Sequence, residues 1–223
     1  MTHGRLSTGG IWVRGLCADC NSLAGGRSDT PYADFAAGIT RWHNRDRRIQ
    51  LPNSADVPAV SVNPGPVARS ILYGMHAISP RLRLLFPALA ASLASGDDQV
   101  PIPPGLRLRV AHYTELHARV AGPLHARRVL GSSQAFITFA EVYFRPFAWV
   151  LTPDMPGLVF DDERWAYADE WSLYRDETAT DLRNLIKTFP LVRHPFAADR
   201  EDWVELFSDE ITSFVEGAVP STM

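Results

Sequence analysis

Apolar residues recur at helical spacing in two stretches of the first hundred positions, and the pattern then changes to alternation. Tyr32, Phe35, Ala36, Ile39 and Trp42 form one stripe with the period of an amphipathic helix. Asp29 or Thr30 can cap its start, and Pro31 suits the first helical position because the N–H it lacks would go unbonded there anyway. A second stripe, Val67, Ile71, Leu72 and Met75, predicts a helix beginning near Pro66. It breaks at Ser79-Pro80, resumes through Leu82, Leu85 and Leu89 with a kink at Pro87, and ends at Ser95-Gly96. Leu106, Leu108 and Val110 alternate with Arg107 and Arg109, as in a strand with one buried and one wet face. Further strands are expected at 124–130, 135–144, 147–152, 171–175 and 183–188, and Trp203, Leu206, Phe207 and Ile211 predict a closing amphipathic helix.

Before the first helix, Gly9-Gly10 reads as a turn and Ile11-Trp12-Val13 as a short strand. Pro52, Pro58, Pro64 and Pro66 mark residues 51–66 as a connector. The expected fold class is α+β: a small segment with its helix at 1–50, a helical segment at 67–96, and a β-rich antiparallel domain with a final helix at 97–223. No internal repeat or low-complexity tract interrupts this plan.

Composition adds limits rather than a function. The chain has 223 residues, 46% of them hydrophobic and 21% charged, which is enough to bury a core without disulfides. No apolar run approaches the roughly 18 residues of a membrane span. Met1-Thr2-His3-Gly4-Arg5 lacks the apolar centre of a secretory signal, which points to the cytoplasm, where thiols stay reduced. Charge is unevenly spread. Residues 1–130 hold 15 basic and 8 acidic side chains, whereas 131–223 hold 7 and 17, so an anionic partner would approach the first part unless the two parts pack together and cancel. Lys187 is the one lysine beside 21 arginines, a skew that reads as a GC-rich coding background rather than selection for phosphate geometry.

The only two cysteines stand as Cys17-Ala18-Asp19-Cys20, followed by Asn21 and by Gly25-Gly26. Two thiolates at this spacing can grip one metal, although a closed tetrahedral site takes four ligands. A redox dithiol is a second reading. It asks for a helix starting at the first cysteine, and Asn21-Ser22-Leu23-Ala24-Gly25-Gly26 looks like a poor helix start. A chance pair without metal is the third. A short strand before the pair and a helix after it favour the metal reading, in the form of a zinc knuckle.

At these residues the sequence resembles the HNH endonuclease family. Leu16-Cys17-Ala18-Asp19-Cys20-Asn21, preceded by Ser7-Thr8-Gly9-Gly10 and followed by Tyr32 and Phe35 on a helix, is similar to the second half of that family's treble-clef motif. The resemblance covers about residues 3–40. It implies structural Zn2+ at Cys17 and Cys20, and a histidine just upstream of the Gly-Gly turn acting as general base on the attacking water. His3 is the residue in that direction, and Asn21 and Asp29 are the nearest polar groups for the catalytic centre. Mg2+ or Mn2+ would stabilise the leaving oxygen and its phosphate. Two departures stand out: only two residues precede His3, so the family's first Cys-x-x-Cys pair is absent from this sequence, and no second histidine follows Cys20 closely, His43 lying a full helix away.

Arg41, Arg45, Arg47 and Arg48, with Trp42 among them, could neutralise phosphates while a ring stacks on a base; a solvated helix end with Trp42 in the core explains them equally. Arg107, Arg109, Arg127 and Arg128 could extend that surface, or line the wet face of a sheet. His112, His117 and His125 lack the i, i+4 spacing of a helical metal site and read as structural histidines, though they are the remaining source of distant zinc ligands. Asp161-Asp162-Glu163 and Asp169-Glu170 read as a solvated face more than a hard-cation site. The absence of Walker, GxGxxG, nucleophile-elbow and HExxH patterns leaves P-loop, hydride-transfer and serine-hydrolase chemistry without support. The expected function is HNH-like: binding of DNA, with metal-dependent phosphodiester hydrolysis, in bacterial or phage conflict. The competing expectation is a non-catalytic interaction module whose residual knuckle is structural.

Overall fold

The structure, a computed structural model, describes residues 18–45, 61–79, 81–115, 118–122, 125–128, 135–155, 164–181, 189–192 and 204–207. The expected elements at 9–13 and 183–188 lie outside these residues, as does the connector up to residue 60. The class is α+β.

The helical part opens with α1 (Ala18–Ala24), which passes through a π-helical turn (Gly25–Asp29) into α2 (Thr30–Arg45). Asp29 and Thr30 therefore do not cap a new helix, since Ala24 and Thr30 both keep right-handed helical angles and the helix runs on. Proline explains the widened turn. Pro31 lacks an N–H and its ring crowds the carbonyl four residues back, and a π turn directly before it takes up both defects. After β1 (Ser61–Val62) comes α3 (Pro64–Ile78), two residues earlier than its apolar stripe suggested, with Pro64 in the first turn. The expected break at Pro87 divides α4 (Leu82–Leu85) from α5 (Pro87–Ser95), and Gly96 ends α5 in the left-handed region at φ 73°.

Strands β2 (Leu106–His112), β3 (Ala118–Ala121), β6 (Ala140–Phe144), β7 (Phe147–Pro153), β8 (Ala166–Tyr167) and β10 (Val204–Phe207) form a six-stranded sheet in the order β10-β3-β6-β7-β2-β8. β4 (His125–Arg128) pairs with β5 (Ala135–Thr138), and β1 with β9 (Thr180–Asp181). These pairings are antiparallel except β10 with β3, which is parallel. Three expectations fail. The single strand expected at 135–144 is broken at Phe139 into β5 and β6, which belong to different sheets. Residues 169–173 form a 3-10 helix rather than a strand, and residues 204–207 form β10 rather than a helix. Val-Glu-Leu-Phe satisfies a two-residue period as well as a helical one, and the open edge of β3 decides between them.

One sheet face carries Leu106, Leu108, Val110, Phe147, Trp149, Leu151 and Ala140 into a cluster with Phe35 and Ile39 of α2 and the buried side of α3. The Phe35 and Phe147 rings stack at 4.7 Å, while Trp149 meets Trp171 edge-on at 5.8 Å. Burial pushes the Tyr32 phenol up to about 12, with the neighbouring Trp149 indole pulling the other way. The opposite face is covered too, by a second cluster of Ala111, Tyr113, Tyr143, Ala148, Val150, Trp165 and Val192. β2 is consequently not half-wet, and Arg109 is 1% exposed. Among the described residues, no helix is long and apolar enough to cross a membrane.

His76 shows how a polar side chain on an apolar stripe becomes a pH-sensitive element. It sits on α3 one turn after Leu72, donates from Nδ1 to the Leu72 carbonyl at 2.9 Å, and buries Nε2 without a hydrogen-bond partner among the described residues. Burial holds its pKa below the ordinary 6.5, with Arg83 pushing the same way. Below pH 6.5 the unfolded chain takes up a proton that the folded chain resists, so stability falls with pH until the folded pKa is passed and then levels off. Urea midpoints at pH 7.5 and 5.5 should show this decline, and His76→Gln should reduce it.

Candidate functional site

The cysteine motif sits at the beginning of a helix. Cys20 and Asn21 lie in the first turn of α1, which starts at Ala18, the residue after Cys17. This overturns the reading of 21–26 as a poor helix start, because α1 and the π turn are helical throughout and continue into α2. Two thiolates separated by one such turn fit two positions of a tetrahedral zinc site. The rest of the donor set does not follow from the structure: among the described residues, no group of three or more His, Cys, Asp or Glu stands together as a metal site. Cys17 and His3 lie outside the described residues, as do Arg47, Arg48, His117 and Asp161-Asp162-Glu163. Arg41 and Arg45 are four residues apart in the C-terminal part of α2.

Several sequence candidates turn out to be structural. His112 is 6% exposed, with its ring 5.8 Å from Phe147 and 5.6 Å from Phe189, inside the aromatic core. His125 belongs to β4, in a different sheet from His112. Arg107 and Arg109 differ: the Arg107 side chain is 39% exposed, whereas Arg109 is buried. Arg109 donates from Nε to Thr152 Oγ1 at 3.0 Å, with Tyr167 stacked over its guanidinium at 4.7 Å. Arg107 pairs with Asp154 at 2.9 Å and with Asp169 at 3.0 Å, and it holds the Asp154 carboxyl below the usual carboxylate range. Asp169 is no cation ligand in waiting, since its other oxygen accepts the Leu108 amide at 2.6 Å. These acidic and basic groups satisfy one another.

Two polar constellations were not foreseen. The first joins α1–α2 to the rest of the fold. Arg27, in the π turn, donates from Nε to Asp176 Oδ2 at 3.0 Å, and Arg69 of α3 bonds the other oxygen of the same carboxylate. Arg69 also donates to the carbonyls of Asp98 at 2.6 Å and Tyr174 at 3.1 Å. Gly65 allows this closeness, because a Cβ there would stand 1.9 Å from the Tyr174 carbonyl oxygen. The second lies on the sheet. Arg119 of β3 donates from Nε to Glu141 Oε1 of β6 at 2.6 Å, both side chains being at most 2% exposed. Tyr143 stands opposite Arg119, its phenol held well above its ordinary value by burial first and by Glu141 second. Glu205 occupies the register position on the other side of Arg119, in β10. The pair lies among the second apolar cluster, across from Tyr143 and Val150, and a one-residue slip of one strand would put its charge on the opposite sheet face, away from its partner.

Both constellations left a trace in the sequence. Arg69 and His76 fall in phase with Leu72 on the apolar stripe of α3, and Glu141 interrupts the apolar run Phe136-Ile137-Thr138-Phe139-Ala140 to Val142-Tyr143-Phe144. A charge in such a position marks a buried partnership, but the partner's identity depends on tertiary contacts. No protein-family model, curated protein or solved structure gives a significant match to the chain. The functional reading therefore stands on the residues themselves.

Proposed function

We propose that this chain is an HNH-like protein that binds DNA and hydrolyses phosphodiester bonds with a divalent metal. The observation that carries the reading is Leu16-Cys17-Ala18-Asp19-Cys20-Asn21 leading directly into the helix that starts at Ala18. In this reading Cys17 and Cys20 hold structural Zn2+, His3 takes the proton of the attacking water, and Asn21 helps orient the reacting groups. Mg2+ or Mn2+, when bound, would supply charge neutralisation at the scissile phosphate. Arg41, Arg45, Arg47 and Arg48 would hold the DNA backbone, and the net charge of the first 130 residues supports that side as the approach face.

A helix beginning beside Cys17 suits a redox dithiol as well as a knuckle, so metal content is the first measurement. Purified protein should contain zinc and should nick supercoiled DNA with Mg2+ or Mn2+, and His3→Ala should abolish nicking while leaving zinc in place. Arg45, Arg47 and Arg48 changed together to alanine should weaken DNA binding and lower the slope of log affinity against log salt by about 3. Protein that neither holds metal nor cuts would point to the non-catalytic interaction module. Zinc-free protein with a reversible Cys17–Cys20 disulfide would favour the dithiol.

A further inference from the structure

The outer side of α4 and α5 lacks the charges of an ordinary solvated helix face. Leu82, Leu89 and Leu93 are buried, yet Leu84 and Leu85 are 77% and 55% exposed, and Pro87, Ala88 and Ala91 carry the exposed surface on without a charge. Charge enters only at its start, where Arg81 and Arg83 are both exposed, and the sequence holds no acidic residue between Asp56 and Asp97. An occupant matched to this face is apolar along its length and acidic at one end.

The chain carries such a segment, and β10 leads it to the right place. β10 runs parallel to β3 and ends with Phe207 beside Ala121. Gly122, the next residue after Ala121, lies so close to the end of α3 that a Cβ there would stand 1.9 Å from the Ile78 carbonyl oxygen, and Ile78 is four residues before the start of α4. β6 begins at the same end of the sheet, since Glu141 pairs with Ala121, and Phe139 just before it meets Phe86, at the joint of α4 and α5, edge-on at 5.2 Å. The residues after Phe207 lie outside those described, but their sequence has a helical pattern. Ile211, Phe214 and Val215 recur at i, i+3, i+4, Ser208 can cap such a helix with Asp209 and Glu210 in its first turn, and Gly217 and Pro220 can end it. As a helix, 209–216 would span about 12 Å, the reach of residues 82–89. A second copy suits the face less well, because this stretch offers no acidic group to the other copy's Arg81 and Arg83.

We propose that residues 208–216 form a helix docked on the α4–α5 face, with Ile211, Phe214 and Val215 covering Leu84 and Leu85, and with Asp209 and Glu210 meeting Arg81 and Arg83. The contact does not depend on the nuclease reading.

Amide hydrogen exchange on the full chain tests it. Residues 211–216 should exchange at least about tenfold more slowly than in a free peptide of the same sequence. Leu84→Asp with Leu85→Asp, both at the surface, should abolish that protection while β2 and β7 amides keep their rates. Should that variant fail to fold, Phe214→Asp provides the reverse contrast by speeding exchange in residues 82–90. Arg81→Glu with Arg83→Glu should weaken the protection, and Asp209→Arg with Glu210→Arg added to it should restore it; protection indifferent to the arginine change would overturn the charge pairing. Wild-type exchange at the peptide's rate would overturn the docked helix. Protection that survives the double aspartate variant would place the segment elsewhere on the fold, and protection lost on dilution would give the face to a second copy; either result overturns the proposal.

Discussion

Asp176→Ala should destabilise the protein by about 2–3 kcal/mol, below the roughly 3–5 kcal/mol of breaking a fully buried pair because Asp176 itself is 30% exposed. The loss comes through Arg69 rather than Arg27. Arg69 is 4% exposed on its side chain and cannot recover water when the carboxylate goes, although the carbonyls of Asp98 and Tyr174 still receive its Nη1. Arg27 shares the same carboxylate but is 41% exposed, so Arg27→Ala should cost no more than about 1 kcal/mol. Urea denaturation of the two variants measures the contrast, read as a shift in midpoint at constant slope. Asp176→Ala with Arg69→Met should recover part of the loss, since the stranded charge is removed with its partner, but not all of it, because the contacts of Arg69 to the carbonyls of Asp98, Ser172 and Tyr174 go too. Equal costs for Asp176→Ala and Arg27→Ala would mean that burial of Arg69 does not control the network.

Trp149→Ala should cost more, about 3–5 kcal/mol, by a different mechanism. Trp149 lies in β7 with no exposed surface, its ring 6.2 Å from Phe147 and 5.8 Å from Trp171. Phe147 stacks on Phe35 of α2, and Trp171 stands edge-on to it at 6.1 Å. Truncation therefore leaves a cavity where sheet, 3-10 helix and α2 meet, and neighbours held by their own ring contacts can collapse into it only in part. Trp149→Phe keeps a ring for these contacts and should cost less. Chemical denaturation measures both variants, and a loss below about 1 kcal/mol for the alanine would show that these rings repack freely.

The elements with strong period were legible from sequence to within a residue or two. The breaks at Ser79-Pro80 and Pro87 and the end of α5 at Gly96 fell where backbone chemistry puts them, because proline and glycine act on their own residue and its immediate neighbours. The errors occurred where two periods fit the same letters. Val204–Phe207 became a strand by pairing with β3, and Trp171 entered a 3-10 helix whose ring packs on Trp149. The cysteine motif was visible as a motif and its helical setting was not, since Gly25, Gly26 and Pro31 each argue against a helix that packing of Ala24, Ser28, Phe35 and Ile39 sustains.

By itself, then, the sequence determined the α+β class, the helical middle, the alternating strands and the chemical identity of the Cys17–Asn21 motif, all of which depend on residues close together in the chain. Only the tertiary structure decided which charges are buried and with whom. Arg27 and Asp176 are 149 residues apart, Arg69 and Asp176 are 107 apart, and Arg119 and Glu141 sit on different strands. A charge on an apolar stripe announces that a partner must exist, because an isolated ion is too costly to bury. Which residue supplies that partner is fixed by the packing of elements against one another, and that packing is a property of the whole chain rather than of any local pattern.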